Sequence, residues 1–239
     1  MNEFKEGYIH SIETMGLVDG PGIRIVIFMQ GCPLRCLFCH NPETWNIKSN
    51  KQMTSKEIVD EIRKYRPYIE TGGGVTFSGG EPLLQSEFLL EMLQMCKKAG
   101  IHTCIDTSGT GYDKKYLEEI LKYSDLVILD IKAIEENSYK NMTGKDMVEF
   151  NYFVDKLNEQ NKKTWLRQVI VPNINDNEEY ILKLKEYVKK FKNIEKLELL
   201  PYHSMGIEKY KKLNIKYRLS DTLDMDKEKC KKLEELLNK

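Results

Sequence analysis

The chain alternates short β-branched runs with longer segments whose apolar positions recur every three or four residues, a rhythm that predicts strands and helices in turn. The first strong run, residues 23–29, reads Ile-Arg-Ile-Val-Ile-Phe-Met and is closed off by Gly22 and Gly31. Further strand-like runs fall at residues 75–77, 102–105, 126–131, 164–171 and 197–200. Thr54-Ser55-Lys56-Glu57 is a capping box, and Ile58, Ile62 and Tyr65 then share one face, so a helix is expected there. Ser86 is the expected cap of the next helix, which should run to Lys98 and stop at Gly100. Helical runs near residues 114–122, 150–159, 178–191 and 227–237 continue the alternation.

Six strands, each followed by a helix, predict parallel pairing through right-handed crossovers. A full eight-unit barrel takes about 250 residues. With 239 residues and six units, the expected fold class is α/β, a partial (β/α)6 barrel of parallel strands; an open doubly wound sheet is the alternative. Nothing reads as a linker or a low-complexity segment, so residues 1–239 are expected to form a single domain.

Composition narrows the partners. Lys+Arg and Asp+Glu are both 37, which argues against nucleic acid or an anionic membrane as the main partner. Residues 1–13 mix charges without a signal-peptide core, and no later run approaches a membrane span, so a cytoplasmic protein is expected. Six cysteines in a reducing compartment favour metal binding or free thiols over disulfides. Cys96, Cys104 and Cys230 sit singly among apolar residues and read as packing.

The other three cluster. Gly31-Cys32-Pro-Leu-Arg-Cys36-Leu-Phe38-Cys39-His40 leaves the C-terminal end of the first strand, and its spacing lets three thiolates converge on one metal centre. A cubane iron-sulfur cluster normally takes four cysteines, one per iron, so three leave one iron open to a ligand. Zinc is the main rival, but no second ligand pair follows and His40 would be a cramped fourth ligand.

In either architecture, chemistry collects at the C-terminal edge of the strands. That edge should carry the cysteine loop, Gly79-Gly80-Glu81, Asp106-Thr107, Asp130 with Lys132, and His203. Each has a plain structural reading: a turn at Gly79-Gly80, an ordinary ion pair for Asp130 and Lys132, a satisfied loop histidine at His203. Arg167, within an apolar run, would point into the barrel and needs an anionic partner. The segment from Lys209 to Arg218 is basic and aromatic, and reads as a solvated face or a docking surface.

Taken together, these residues resemble the radical S-adenosylmethionine enzymes, whose Cys-x-x-x-Cys-x-aromatic-Cys signature is matched by Cys32, Cys36, Phe38 and Cys39. Within that superfamily, Val18-Asp19-Gly20-Pro21-Gly22-Ile23-Arg24, His102-Thr103-Cys104-Ile105-Asp106-Thr107, Asp130-Ile131-Lys132 and Leu199-Leu200-Pro201-Tyr202-His203 resemble the activases of glycyl-radical enzymes. The resemblance implies a radical SAM core holding a [4Fe-4S] cluster on Cys32, Cys36 and Cys39. S-adenosylmethionine would chelate the fourth iron and be cleaved reductively. The resulting 5'-deoxyadenosyl radical would take hydrogen from a glycine of the partner lyase.

The same resemblance implies cofactor contacts for Phe38, Cys39, His40, Gly79, Gly80, Glu81, Asp130, Ile131, Lys132, Arg167 and His203. It also implies a monovalent cation at Asp106 and Thr107, and a role for Asp19 in meeting the incoming glycine loop. The electron would come from reduced flavodoxin or ferredoxin, and the activase would be a monomer. Many relatives carry a cysteine-rich, ferredoxin-like insertion before the Gly-Gly-Glu stretch. Here residues 41–78 contain no cysteine, and the short form favours pyruvate formate-lyase as partner. An activase of another glycyl-radical enzyme, and a radical enzyme acting on a small molecule, are the alternatives.

Overall fold

The computed structural model describes residues 4–48 and 51–239. Among them, eight strands form one sheet: β1 (Glu6–Gly16), β2 (Arg24–Met29), β3 (Lys51–Thr54), β4 (Gly74–Gly79), β5 (Thr103–Thr107), β6 (Leu126–Asp130), β7 (Thr164–Ile170) and β8 (Ile194–Pro201). Their spatial order is β3-β1-β2-β4-β5-β6-β7-β8. From β2 to β8 every pair is parallel and follows chain order. A doubly wound sheet reverses its order at a switch point. This one does not, and its two ends remain unjoined, so the architecture is the partial (β/α)6 barrel.

Around the sheet lie α1 (Ser55–Lys64), α2 (Arg66–Ile69), α3 (Ser86–Lys98), α4 (Lys114–Tyr123), α5 (Glu136–Thr143), α6 (Val148–Glu159), α7 (Glu178–Val188), α8 (Ile207–Lys212) and α9 (Lys227–Asn238). The capping box at Thr54 and Glu57 is present, with both reciprocal bonds formed. Ser86 is not the cap of α3. It is the helix's first residue, and its hydroxyl donates back to the Leu83 carbonyl at 2.5 Å.

Alternation along the strands sorts the interior into two parts. Ile25, Ile27, Val75, Phe77, Ile105, Val127, Leu129 and Leu166 join the main core with the helices. On the opposite face, Cys104, Leu126 and Ile128 form a small separate cluster with Trp165 packed against it. That second face also carries the buried polar residues Arg24, Thr76, Ser78 and Arg167. Cys96, Cys104 and Cys230 are buried free thiols, in keeping with packing roles.

Two strands depart from the sequence expectation. β1 pairs antiparallel with β2, and its alternation is broken by register shifts between Ile9 and Ser11 and between Glu13 and Gly16. β3 pairs antiparallel with β1 and blunts that edge of the sheet with Lys51 and Gln52 exposed.

Candidate active site

The cysteine loop leaves the C-terminal end of β2 and is held by backbone bonds from two directions. The amides of Gly31 and Cys32 donate to the carbonyls of Thr44 and Trp45, and those of Arg35 and Leu37 to the carbonyls of Thr143 and Met142 at the end of α5. Arg35 Nη1 closes the loop on itself, donating to the Cys32 and Leu34 carbonyls at 2.8 and 2.7 Å. On the inner side β4 ends in Gly79, at φ +115°, and Gly80. A Cβ on Gly80 would stand 2.3 Å from the Gly31 carbonyl oxygen and 3.2 Å from Cys32 Cβ. Only glycine lets these strand ends meet.

One pocket of about 230 Å³ collects Cys32, Cys36, Phe38, Cys39, His40, Gly79, Gly80, Asp106, Thr107, Asp130 and Lys132 from the expected set. Ser78, Ser108, Asn41 and Val169 line it too. Ser78 was within reach of the strand pattern, two residues beyond Thr76 on the same face; it donates to Asp106 at 2.9 Å. Lys132 donates to Asp130 at 2.7 Å and lies 5.4 Å from the centre of the Phe38 ring. The ordinary ion pair and the site residues are thus the same two side chains. Lys132 also lines a neighbouring cavity of about 390 Å³ with Leu37, Glu135, Asn175 and Tyr180.

Five expected residues lie outside the pocket lining. Glu81 is fully buried beneath it. Its carboxylate accepts from the amides of Leu83 and Ser108 and from the hydroxyls of Thr107 and Ser108, so it ties the end of β4 to the end of β5 and has no oxygen left for a ligand. Ile131 is a core side chain at 1% exposure. Arg167 finds its anion in Glu198, at 3.0 Å, and also donates to the Val18 carbonyl. His203 stacks on His40 with ring centres 3.9 Å apart, and its backbone carbonyl bonds His40 Nε2 at 2.8 Å. Asp19 lies on the loop between β1 and β2, where its carbonyl accepts from Thr76 at 2.6 Å.

The electrostatics set these groups apart. Burial pushes the Asp106 carboxyl up to about 6, with the neighbouring Asp130 charge adding to the effect. Burial likewise pushes Glu81 up to about 7 against its four hydrogen-bond donors. For Lys132 burial works against the charge, but Asp130 and Cys36 outweigh it and its pKa is raised. Burial raises Cys32 and Cys36, the latter to about 11, and the other two thiols add to the effect on Cys32.

The segment around α8 is neither a solvated face nor a free docking surface throughout. Tyr210 and Tyr217 are buried, Tyr210 donates to the Cys39 carbonyl at 3.0 Å, and Lys209 is paired with Glu43. It forms the outer wall of the cysteine loop.

The family model described as the Radical SAM superfamily matches residues 26–185. The pyruvate formate-lyase-activating enzyme of Clostridium pasteurianum is 54% identical over 232 residues, 97% of each chain. The chain belongs to the radical SAM superfamily, in its family of pyruvate formate-lyase-activating enzymes. Streptococcus suis SuiB bound to its precursor peptide SuiA shares the fold, with a TM-score of 0.67 at 21% identity, over 95% of this chain and 46% of that one. The same protein bound to S-adenosylmethionine aligns over 87% of this chain and 45% of that one, with a TM-score of 0.63 at 22% identity.

Radical SAM membership implies a [4Fe-4S] cluster and S-adenosylmethionine, and the side chains present fit both. A cubane takes one thiolate per iron, and Cys32, Cys36 and Cys39 present their thiols to one pocket from a single loop. Thiolates this close would repel one another, and a cationic cluster relieves that repulsion once the thiols release their protons. His203 Nδ1 is buried without a partner, beside the ring of His40 that lines the pocket, and a polar ligand would satisfy it.

Proposed function

We propose that this radical SAM enzyme activates pyruvate formate-lyase by converting a glycine of that lyase to a glycyl radical. What supports the reading is the convergence of three cysteine thiols with an Asp130–Lys132 pair and Asp106 on one pocket, in a chain so similar to an activating enzyme throughout its length. When bound on Cys32, Cys36 and Cys39, the cluster supplies the electron that cleaves S-adenosylmethionine to a hydrogen-abstracting radical.

The chain's own residues bind and orient. Gly79 and Gly80 admit a ligand against backbone groups. Lys132 and Asp130 offer a donor and an acceptor to a zwitterionic ligand, with Phe38, His40 and His203 beside them. Arg167 stands between the pocket and the Asp19 loop: Asp106, Asp130 and Glu198 favour its charge against burial, and its pKa is raised. Asp106 and Thr107 would hold a monovalent cation. Asp19 lies next to Leu17 and Val18, which are 70% and 74% exposed, and would meet the glycine segment of the lyase there.

The enzyme would work as a single-domain monomer in the cytoplasm, reduced by flavodoxin or ferredoxin. Among the described residues no helix is long and apolar enough to cross a membrane. Among the described residues, the interval before Gly79-Gly80-Glu81 holds β3, α1, α2 and the start of β4 as regular elements beyond a short 3-10 turn, which suits the short activases.

The test is anaerobic cluster reconstitution followed by addition of reductant, S-adenosylmethionine and the lyase. The expected result is 5'-deoxyadenosine together with a glycyl-radical paramagnetic resonance doublet. Deoxyadenosine without the doublet assigns the enzyme to another substrate, and neither product overturns the activase reading.

A further inference from the structure

Tyr139, on α5, is among the largest fully buried side chains of the protein, with 0% exposure, and its hydroxyl has no hydrogen-bond partner. Leaving a buried hydroxyl unpaired forfeits the hydrogen bonds it makes to water in the unfolded chain, so a group of this kind calls for a partner brought to it. Tyr210 makes the contrast. It also lies against the cysteine loop, but its hydroxyl is used, on the Cys39 carbonyl.

The surroundings of Tyr139 say where its partner should come from. The carbonyls of Met142 and Thr143, one turn further along α5, accept from the amides of Leu37 and Arg35, which flank Cys36 in the chain. Helix and cysteine loop are therefore fixed to one another. After burial itself, the titratable groups that act most on the Tyr139 hydroxyl are Cys36, Lys132 and Glu81, all at or directly beneath the pocket. The phenol ring packs on Phe150, with ring centres 5.8 Å apart, which anchors its apolar side. Tyr187 also ends in a buried hydroxyl without a partner and also acts on Tyr139.

We propose that cluster loading brings the Cys36 sulfur, which the Tyr139 hydroxyl does not hydrogen-bond in this structure, within its reach, and that Tyr139 then donates to that sulfur as a positioning residue that tunes the reduction potential of the cluster. The inference rests on the reading of Cys32, Cys36 and Cys39 as cluster ligands. Hydrogen bonds to cluster sulfurs help set the potential, because a donor stabilises the more negative, reduced state. Loss of the donor makes the cluster harder to reduce. Nothing in this role requires Tyr139 to touch S-adenosylmethionine or the lyase.

The experiment compares wild type, Tyr139→Phe and Tyr187→Phe after anaerobic reconstitution. Iron, sulfide and absorbance of the wild type come first: a wild type that holds no four-iron cluster overturns the ligand assignment, and this inference with it. Potentiometric titration follows. At a fixed applied potential the ratio of reduced to oxidised cluster should fall about threefold in Tyr139→Phe, a small part of the strength of a hydrogen bond to a charged group, and stay unchanged in Tyr187→Phe. Without cluster, Tyr139→Phe should melt no lower than wild type, since it deletes only an unpaired hydroxyl.

An unaltered potential in Tyr139→Phe overturns the proposal. So does an equal shift in Tyr187→Phe, which would mean a water shared by the two hydroxyls. Site-specific 3-fluorotyrosine at position 139 keeps the shape and strengthens the donor, so its potential should rise. No movement there overturns the proposal even where Tyr139→Phe loads poorly.

Discussion

Arg24 and His102, 78 residues apart in the chain, meet with Nη1 3.1 Å from Nδ1. A guanidinium can only donate, so His102 Nδ1 accepts and the ring is neutral with its proton on Nε2. Arg24 is fully buried; its other bonds go to the Thr76 hydroxyl and to the carbonyls of Pro21 and Val75. The contact thus belongs to a set that pins the Asp19-Gly20-Pro21-Gly22 loop to the sheet, and it depends on His102 staying uncharged.

A pH dependence of stability follows. Burial, then the Arg24 charge, lowers the His102 pKa, and burial lowers that of His40. The unfolded chain takes up these protons first, near the ordinary histidine value of about 6.5. Stability present above that value is therefore lost as pH falls through it and on toward the depressed folded values. Buried Glu81 and Asp106, with raised carboxyl pKa values, act in the opposite sense over the same range, so the histidine contribution is read as a difference between variants. From pH 8 to pH 5.5 the thermal midpoint of the cluster-free wild type should lose ground relative to that of His102→Gln, whose amide oxygen can still accept from Arg24. An equal slope in that variant would place the effect elsewhere.

Five of the six parallel strands were legible as β-branched runs bounded by turn residues, the composition that burial on both faces demands; β8, an edge strand with Glu195 and Lys196 exposed, was legible only as the short apolar run at residues 197–200. β1 was not: its two register shifts destroy the alternation that marks a half-buried strand, and its exposed positions mix Glu6, Ser11 and Glu13 with the apolar Met15. β3, Lys-Gln-Met-Thr, is a strand only through pairing with β1. α5, read as Glu-Asn-Ser-Tyr-Lys-Asn-Met-Thr, is poor in helix formers and is held by the loop it supports. The cysteine loop and the strand-end polar residues were legible as a set. Which of them face the pocket was not, because Glu81 and Asp106 both sit at strand ends and only the tertiary donors around Glu81 turn it inward.

Glu81 should act as a brace. Glu81→Gln replaces one acceptor oxygen with a donor facing the Thr107 and Ser108 groups, leaving buried donors unpaired at a cost of about 1–3 kcal/mol. Chemical denaturation should show that loss in the cluster-free protein. S-adenosylmethionine affinity of the loaded protein should fall less than in Asp130→Asn, which alters the pocket wall itself. Affinity losses in the opposite order would return Glu81 to the ligand contacts.

Gly80→Ala should be felt at the cysteine loop. The added methyl would sit 2.3 Å from the Gly31 carbonyl oxygen, and neither strand end can move without disturbing the β2–β4 ladder that runs to Met29 and Gly79. Overpacking of this kind costs about 1–3 kcal/mol. Because the relief route is outward movement of Cys32, iron bound per chain after reconstitution should drop along with the melting temperature. A variant that melts lower yet binds a full complement of iron would show that the strain escapes in another direction.

Asp106 should make ligand binding pH-dependent. Its carboxyl, pushed up to about 6 by burial and the Asp130 charge, is ionised at pH 8 and increasingly protonated as pH falls through 6. A cation held there, or the ammonium of a bound zwitterion, stabilises the ionised form. By linkage, binding lowers the Asp106 pKa, and affinity must fall as protons compete. Calorimetric titration of the loaded enzyme with S-adenosylmethionine between pH 8 and pH 6 should show weakening toward the acid end, accompanied by proton release on binding. In Asp106→Asn affinity should be lower at pH 8 and nearly flat across the range. Binding that weakens equally toward acid pH in that variant would move the titrating group away from Asp106.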